Sequence, residues 1–172
     1  MMSFPALLLD LTHGYAKNSR IVPRNLSKKQ GAEDMVRVDV EYLGDLRCRA
    51  THGPSGDTFL TDAPVDNQGK GEAFSPTDLV ATALGGCLAT TMGIVAKRDG
   101  IDLSGLRVTV EKEMTTTSPR RIARLTVRID MPDVPEDKRV KLERAAQHCP
   151  VHASLAPEVE VLISIVYPTV SA

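Results

Sequence analysis

Three side chains in this sequence carry a thiol, Cys48, Cys87 and Cys149. A thiol does peroxide or disulfide chemistry as the thiolate, and an ordinary cysteine, with a pKa of about 8.5, is mostly protonated at neutral pH. A reactive cysteine therefore needs a neighbour that favours the anion. Arginine is the fixed positive charge best suited to the task because it does not deprotonate. Arg47 and Arg49 lie on one segment with Cys48, and a carboxylate such as Asp78 or Glu72 is able to hold a guanidinium in a bidentate pose. Cys149 stands in His148-Cys149-Pro150-Val151-His152, whose Cys-x-x-His spacing also fits two ligands of a metal. A closed zinc site needs four ligands, and no second paired motif supplies the others. The sequence has no Gly-x-Gly-x-x-Gly, no Walker-type Gly-Lys-Ser/Thr and no Gly-x-Ser-x-Gly, so dinucleotide, nucleotide and serine-hydrolase chemistry lack support.

The element that must carry Cys87 is marked at both ends. Ser75 offers an N-cap oxygen, Pro76 suits the first helical position, and Asp78 completes a capping-box-like arrangement with Asp in place of Glu or Gln. Gly100 marks the stop. Between them Val80, Ala83, Leu84, Cys87, Thr91, Ile94 and Val95 recur at helical spacing, which predicts a helix with Cys87 on its buried face. From the residues alone Cys87 has two readings, a packing residue or a nucleophile, since free cysteine is among the most buried residue types. A second amphipathic helix is predicted over 136–149, burying Val140, Leu142, Ala145, Ala146 and Cys149, with Pro150 breaking it and a short turn over 151–155.

The remaining elements read as strands. Alternation over 35–43 puts Val36, Val38, Val40 and Tyr42 on one face; Gly44-Asp45 turns the chain into 46–50, and 57–62 supplies a third strand. Cys48 on the second strand reads as a half-buried packing residue. Segments 106–114 and 122–129 form a hairpin whose outward positions, including Glu111, Glu113, Arg124 and Arg128, describe a solvated face, and 159–167 closes the chain as a final strand. Residues 1–34 are irregular. They read as an extension, or as an arm packing on a partner through Phe4, Leu7, Leu8 and Ile21, ahead of one domain over 35–172. The apolar run 6–9 has no basic residue before it and is cut by Asp10, so neither a signal peptide nor a membrane span is expected there.

Composition narrows the partners. At 172 residues the chain is long enough to bury a core without disulfide staples. Its 21 basic and 22 acidic side chains leave a formal charge of -1, with no general attraction to nucleic acid or anionic lipid. Aromatic residues make up 3% and Trp is absent, which leaves few base-stacking platforms or interfacial anchors. Three scattered cysteines do not make a secreted disulfide framework, so a cytoplasmic location is expected.

The segment Phe74-Ser75-Pro76-Thr77-Asp78-Leu79-Val80-Ala81-Thr82-Ala83-Leu84-Gly85-Gly86-Cys87, followed by His148-Cys149-Pro150-Val151-His152, resembles the OsmC/Ohr family of thiol-dependent peroxidases, over roughly residues 35–168. The resemblance implies an α+β fold with antiparallel sheets packed around central helices in an intertwined homodimer, and active sites at the subunit interface. It implies that Cys87 is the peroxidatic cysteine and Cys149 the resolving cysteine, acting on organic hydroperoxides without metal, flavin or haem. Reduction would come from an external dithiol, such as a lipoyl-bearing protein. The family's activating arginine matches Arg47 first and Arg49 second. The family's usual Pro-Glu-x-Leu reads Pro76-Thr77-Asp78-Leu79 here, so Thr77 stands in the glutamate's place. Asp78 is offset by one residue, about 100° around a helix, and cannot simply replace it. That departure keeps two alternatives open: a binding protein for an apolar ligand on the same fold, and a thiol-disulfide exchange protein.

Overall fold

A computed structural model of the protein describes residues 35–168. Residues 1–34, with the arm reading through Phe4, Leu7, Leu8 and Ile21, and residues 169–172 lie outside the described residues. The chain first makes an antiparallel meander of β1 (Val38–Gly44), β2 (Arg47–His52) and β3 (Thr58–Asp62). The turn between β1 and β2 places Gly44, Asp45 and Leu46 all at positive φ, a requirement that Gly and Asp meet at low cost. Alternation holds as expected: Val38, Val40 and Tyr42 share a face, and Val40 stands opposite Ala50, which stands opposite Phe59. This face is open in one chain, with Val40 at 66% and Tyr42 at 64% exposure.

The long helix α1 (Pro76–Arg98) starts as its residues dictate. The Ser75 side chain accepts from the Asp78 N–H at 3.2 Å, and the Ser75 N–H donates back to Asp78 Oδ2 at 2.8 Å. By length and composition alone α1 could cross a membrane; here one stripe of it packs on a sheet. That stripe is Ala81, Leu84, Gly85, Leu88, Met92 and Ala96; it keeps Leu84 of the expected face but is rotated from it, with Val80, Cys87 and Val95 at its margin. Ala83 is exposed and Ile94 is 65% exposed, while Cys87 is half-buried on the shoulder of the stripe instead of pointing inward. The reason is that α1 is apolar on nearly every side, so periodicity does not choose a face. Fit to the sheet does: a Cβ on Gly85 would lie 3.1 Å from Val110 Cγ2, so Gly at that position lets α1 approach β4 more closely than a side chain would without the valine shifting.

The second sheet holds β4 (Arg107–Met114), β5 (Ile122–Asp130) and β6 (Glu160–Val166). β4 and β5 form the expected antiparallel hairpin, and its outer face is laced by Arg124 with Glu113 and Glu160. β6 runs parallel to β5, so this sheet is mixed. The parallel pairing follows from the crossover through α2 (Glu136–Gln147) and α3 (Pro150–Ser154), because a tight turn cannot bring a strand back in the same direction. α2 buries Leu142, Ala145 and Ala146, but Val140 faces out at 55% exposure, and the helix stops at Gln147, ahead of Cys149. The core joins Leu84, Leu88 and Met92 of α1 to Leu125, Val127 and Ile129 of β5 and Leu142 of α2. Leu88 has no exposed surface, so Leu88→Ala is expected to cost about 2–5 kcal/mol in urea denaturation. A cost below about 1 kcal/mol would mean that this part of the core is not close-packed.

Candidate functional site

The two thiols that the sequence placed on separate helices meet where α1 packs on α3. Cys149 is the N-cap of α3, and its Sγ accepts from the His152 N–H at 3.4 Å. The Cys-x-x-His spacing therefore serves to cap a helix. Among the described residues, no group of three or more His, Cys, Asp or Glu side chains is placed to hold a metal. Cys149 is 1% exposed. Both cysteines are free thiols, and Cys87 Sγ lies 4.0 Å from Thr91 Oγ1, one turn further along α1.

The pair is electrostatically unequal. Burial pushes the Cys87 thiol up, but the neighbouring Cys149 thiol, the Val151 N–H and the Thr91 hydroxyl favour the anion and bring it below its ordinary value. Burial pushes Cys149 up, and the neighbouring Cys87 pushes it further the same way. At neutral pH, Cys87 is thus the thiol of the pair with the larger thiolate fraction. Cys48 lies apart, half-buried on β2 between Tyr42 and Thr61 of the neighbouring strands.

No arginine of the same chain contributes to the lowering of Cys87. Arg47 sits at the start of β2 and bonds Asp62 at 3.4 Å and Glu72. Arg49 pairs with Glu41 at 3.3 Å on the surface. Asp78 holds no guanidinium either. Besides capping α1 it takes a bond from Lys112 Nζ at 2.6 Å, and Lys112 also reaches Thr77 Oγ1 at 2.7 Å. Burial works against the charged form of Asp78, yet Lys112 and Ser75 keep its carboxyl below the usual range. The residue at the family's glutamate position is therefore a hydroxyl already engaged by a lysine. Lys112, Asp62 and the role of Thr91 escaped the sequence reading. Only Lys112 left a signal, as a charge on the inward phase of Val108, Val110 and Met114.

A groove of about 590 Å³ runs between α1 and β4, lined by Phe74, Asp78, Gly85, Val108, Val110 and Lys112 among others, and neither cysteine of the pair lines it.

The site thus sets a half-buried thiol beside a buried one in an α+β fold of two three-stranded sheets. A family model described as OsmC-like protein matches residues 69–164, and the chain belongs to that family. No curated protein matches the sequence. Among solved structures, a candidate osmotic stress induced and detoxification response protein from Psychrobacter arcticus is 40% identical, with a TM-score of 0.73 over 80% of this chain and 98% of that one. Two more distant neighbours share the fold. An organic hydroperoxide resistance protein OsmC from Legionella pneumophila is 17% identical, with a TM-score of 0.63 over 78% of this chain and 98% of that one. The organic hydroperoxide resistance protein OhrB of Bacillus subtilis is 18% identical, with a TM-score of 0.56 over 77% and 98%.

Proposed function

We propose that this protein is a cofactor-free, two-cysteine peroxidase that reduces organic hydroperoxides in a stress response, within the reducing environment of the cytoplasm. The observation that carries the reading is the unequal thiol pair, Cys87 lowered and half-exposed beside Cys149 raised and buried. Names of neighbours in the family that refer to hydroperoxide resistance support the same class of chemistry. The Cys87 thiolate attacks the terminal oxygen of ROOH; an S–O bond forms, the O–O bond breaks, and the departing alkoxide takes a proton to leave as ROH. Cys149 then attacks the Cys87 sulfenic acid, forming the disulfide and releasing water. An external dithiol, of the lipoyl type, reduces that disulfide and is itself oxidised. Cys87 packs against the apolar core, which favours an organic peroxide over a hydrated one.

The working unit in this reading is a homodimer. Its support is the open apolar face of β1, β2 and β3 together with the exposed side of α1, which a second copy would cover. Arg47, at the end of that sheet, is in this reading the thiolate stabiliser for the thiol pair of the second copy, with Asp78 held by Ser75 and Lys112. The groove between α1 and β4 favours a second reading, a binding protein for an apolar ligand, because the cysteine pair does not line it.

Stopped-flow mixing of reduced protein with an organic hydroperoxide, followed by thiol titration and peptide mapping, separates the two. Two of the three thiols, Cys87 and Cys149, are expected to disappear per hydroperoxide consumed, with Cys48 left as an internal reference. Cys87 reacting no faster than Cys48 would discard the peroxidase and leave the binding protein.

A further inference from the structure

We propose that Asp62, assisted by Glu72, is the positioning residue for the Arg47 guanidinium, doing for this chain what no carboxylate in the first turn of α1 is free to do. The inference rests on the reading of Arg47 as the thiolate stabiliser of a second copy. Arg47 and Asp62 are cross-strand partners at the end of β2 and β3, so backbone pairing alone sets them side by side. The Asp62 side chain has no exposed surface. Its Oδ2 accepts the Glu72 N–H at 3.0 Å, which ties the loop before α1 to the sheet. That hydrogen bond first, then the nearby Lys70 N–H and the guanidinium, hold its carboxyl low against burial, so Asp62 is ionised at neutral pH. Asp62 is thus a fixed anchor. Glu72, with its side chain 62% exposed, is the outer hold on the same guanidinium.

The bonding pattern is unlike that of a pair kept for stability. Both carboxylates bond one terminal nitrogen, Nη2, of Arg47. Arg47 Nε and Asp62 Oδ1 are buried without a partner, a costly state that a simple ion pair would relax away. Such a cluster orients the planar fork and leaves donors uncommitted for another anion. The carboxylates of the helix start are not available for this: Asp78 is taken by Ser75 and Lys112, and Thr77 has no charge.

The test is the pH dependence of Cys87 alkylation by iodoacetamide in the full chain, with Cys87 followed by peptide mapping and folding by thermal melting. Arg47→Gln is expected to raise the alkylation midpoint by about one pH unit. Asp62→Asn is expected to raise it as well, and the double variant to raise it no further than Arg47→Gln alone. The sign is decisive, because removing a negative charge without moving Arg47 would lower the midpoint instead. Should Asp62→Asn fail to fold, Glu72→Gln at the exposed carboxylate carries the same expectation with a smaller rise. A midpoint that falls or stays in place in the carboxylate variants while Arg47→Gln raises it overturns the positioning role alone. An inert Arg47→Gln overturns the positioning role and the assignment of Arg47 together, while the two-thiol loss on hydroperoxide treatment tests the peroxidase reaction separately.

Discussion

Cys87→Ser lowers the rate of organic hydroperoxide consumption by more than about 10³-fold, the scale on which removal of a nucleophile acts, while leaving the thermal transition close to that of the parent chain. Stability changes little because Cys87 is on the shoulder of α1, half-buried, and Ser is nearly isosteric. Cys149→Ser behaves differently. The first oxidation proceeds, since the attacking thiolate is intact, but the sulfenic acid of Cys87 has no resolving thiol and accumulates, then passes to sulfinic acid with excess peroxide. Mass analysis after one equivalent of hydroperoxide should therefore show one added oxygen in Cys149→Ser and loss of two hydrogens in the parent. The Cys149 thiol also helps to lower Cys87, so the first step in Cys149→Ser is slower at neutral pH if the Ser hydroxyl donates less well. In the parent, the rate follows the Cys87 thiolate fraction: it falls as pH drops through the thiol pKa, at a midpoint lower than that of an ordinary cysteine. A Cys87→Ser variant that still consumes hydroperoxide, or a Cys149→Ser variant that gains no oxygen, would remove the two-cysteine reaction.

Parts of this site were legible because their causes are local. Ser75, Pro76 and Asp78 announce the start of α1 within four residues, and the structure shows both bonds of the capping box. Pro150 announced a break beside Cys149, and the break turns out to place Cys149 as the cap of a new helix. The charged outward phase of β4 and β5 likewise declares itself residue by residue. What was not legible depends on partners far along the chain. The face of α1 that is buried is selected by Val108 and Val110 meeting Gly85, and a helix apolar on most sides carries no record of that choice. Arg47 finds Asp62, 15 residues away across a strand pair, in addition to the Glu72 that the sequence had offered to it. Lys112 reaches Asp78 from 34 residues away and takes the carboxylate that sequence spacing had offered to an arginine. The direction of β6 depends on the crossover and not on its own alternation.

Val40→Asp carries the second large expectation, that a homodimer gives way to monomer. An exposed apolar face of this extent is a surface that a partner covers, and Val38, Val40, Tyr42 and Phe59 form such a face on β1, β2 and β3. If a second copy covers it, two-fold symmetry puts residue 40 into the contact twice. An unpaired carboxylate at roughly 2–3 kcal/mol per site then weakens association by about 10³-fold or more. Light scattering should give about twice 18.6 kDa for the parent and a single chain mass for Val40→Asp at the same micromolar concentration. Because Val40 is exposed within one chain, the substitution leaves the fold of that chain in place, and far-ultraviolet circular dichroism checks that it does. The consequence reaches the thiol. A monomer separates Cys87 from the Arg47 of the second copy, so its alkylation midpoint rises as it does in Arg47→Gln, and the two substitutions combined raise it no further. A Val40→Asp chain that remains a dimer removes the sheet face from the interface; one that dissociates without moving the Cys87 midpoint keeps the dimer and removes Arg47 from the shared site.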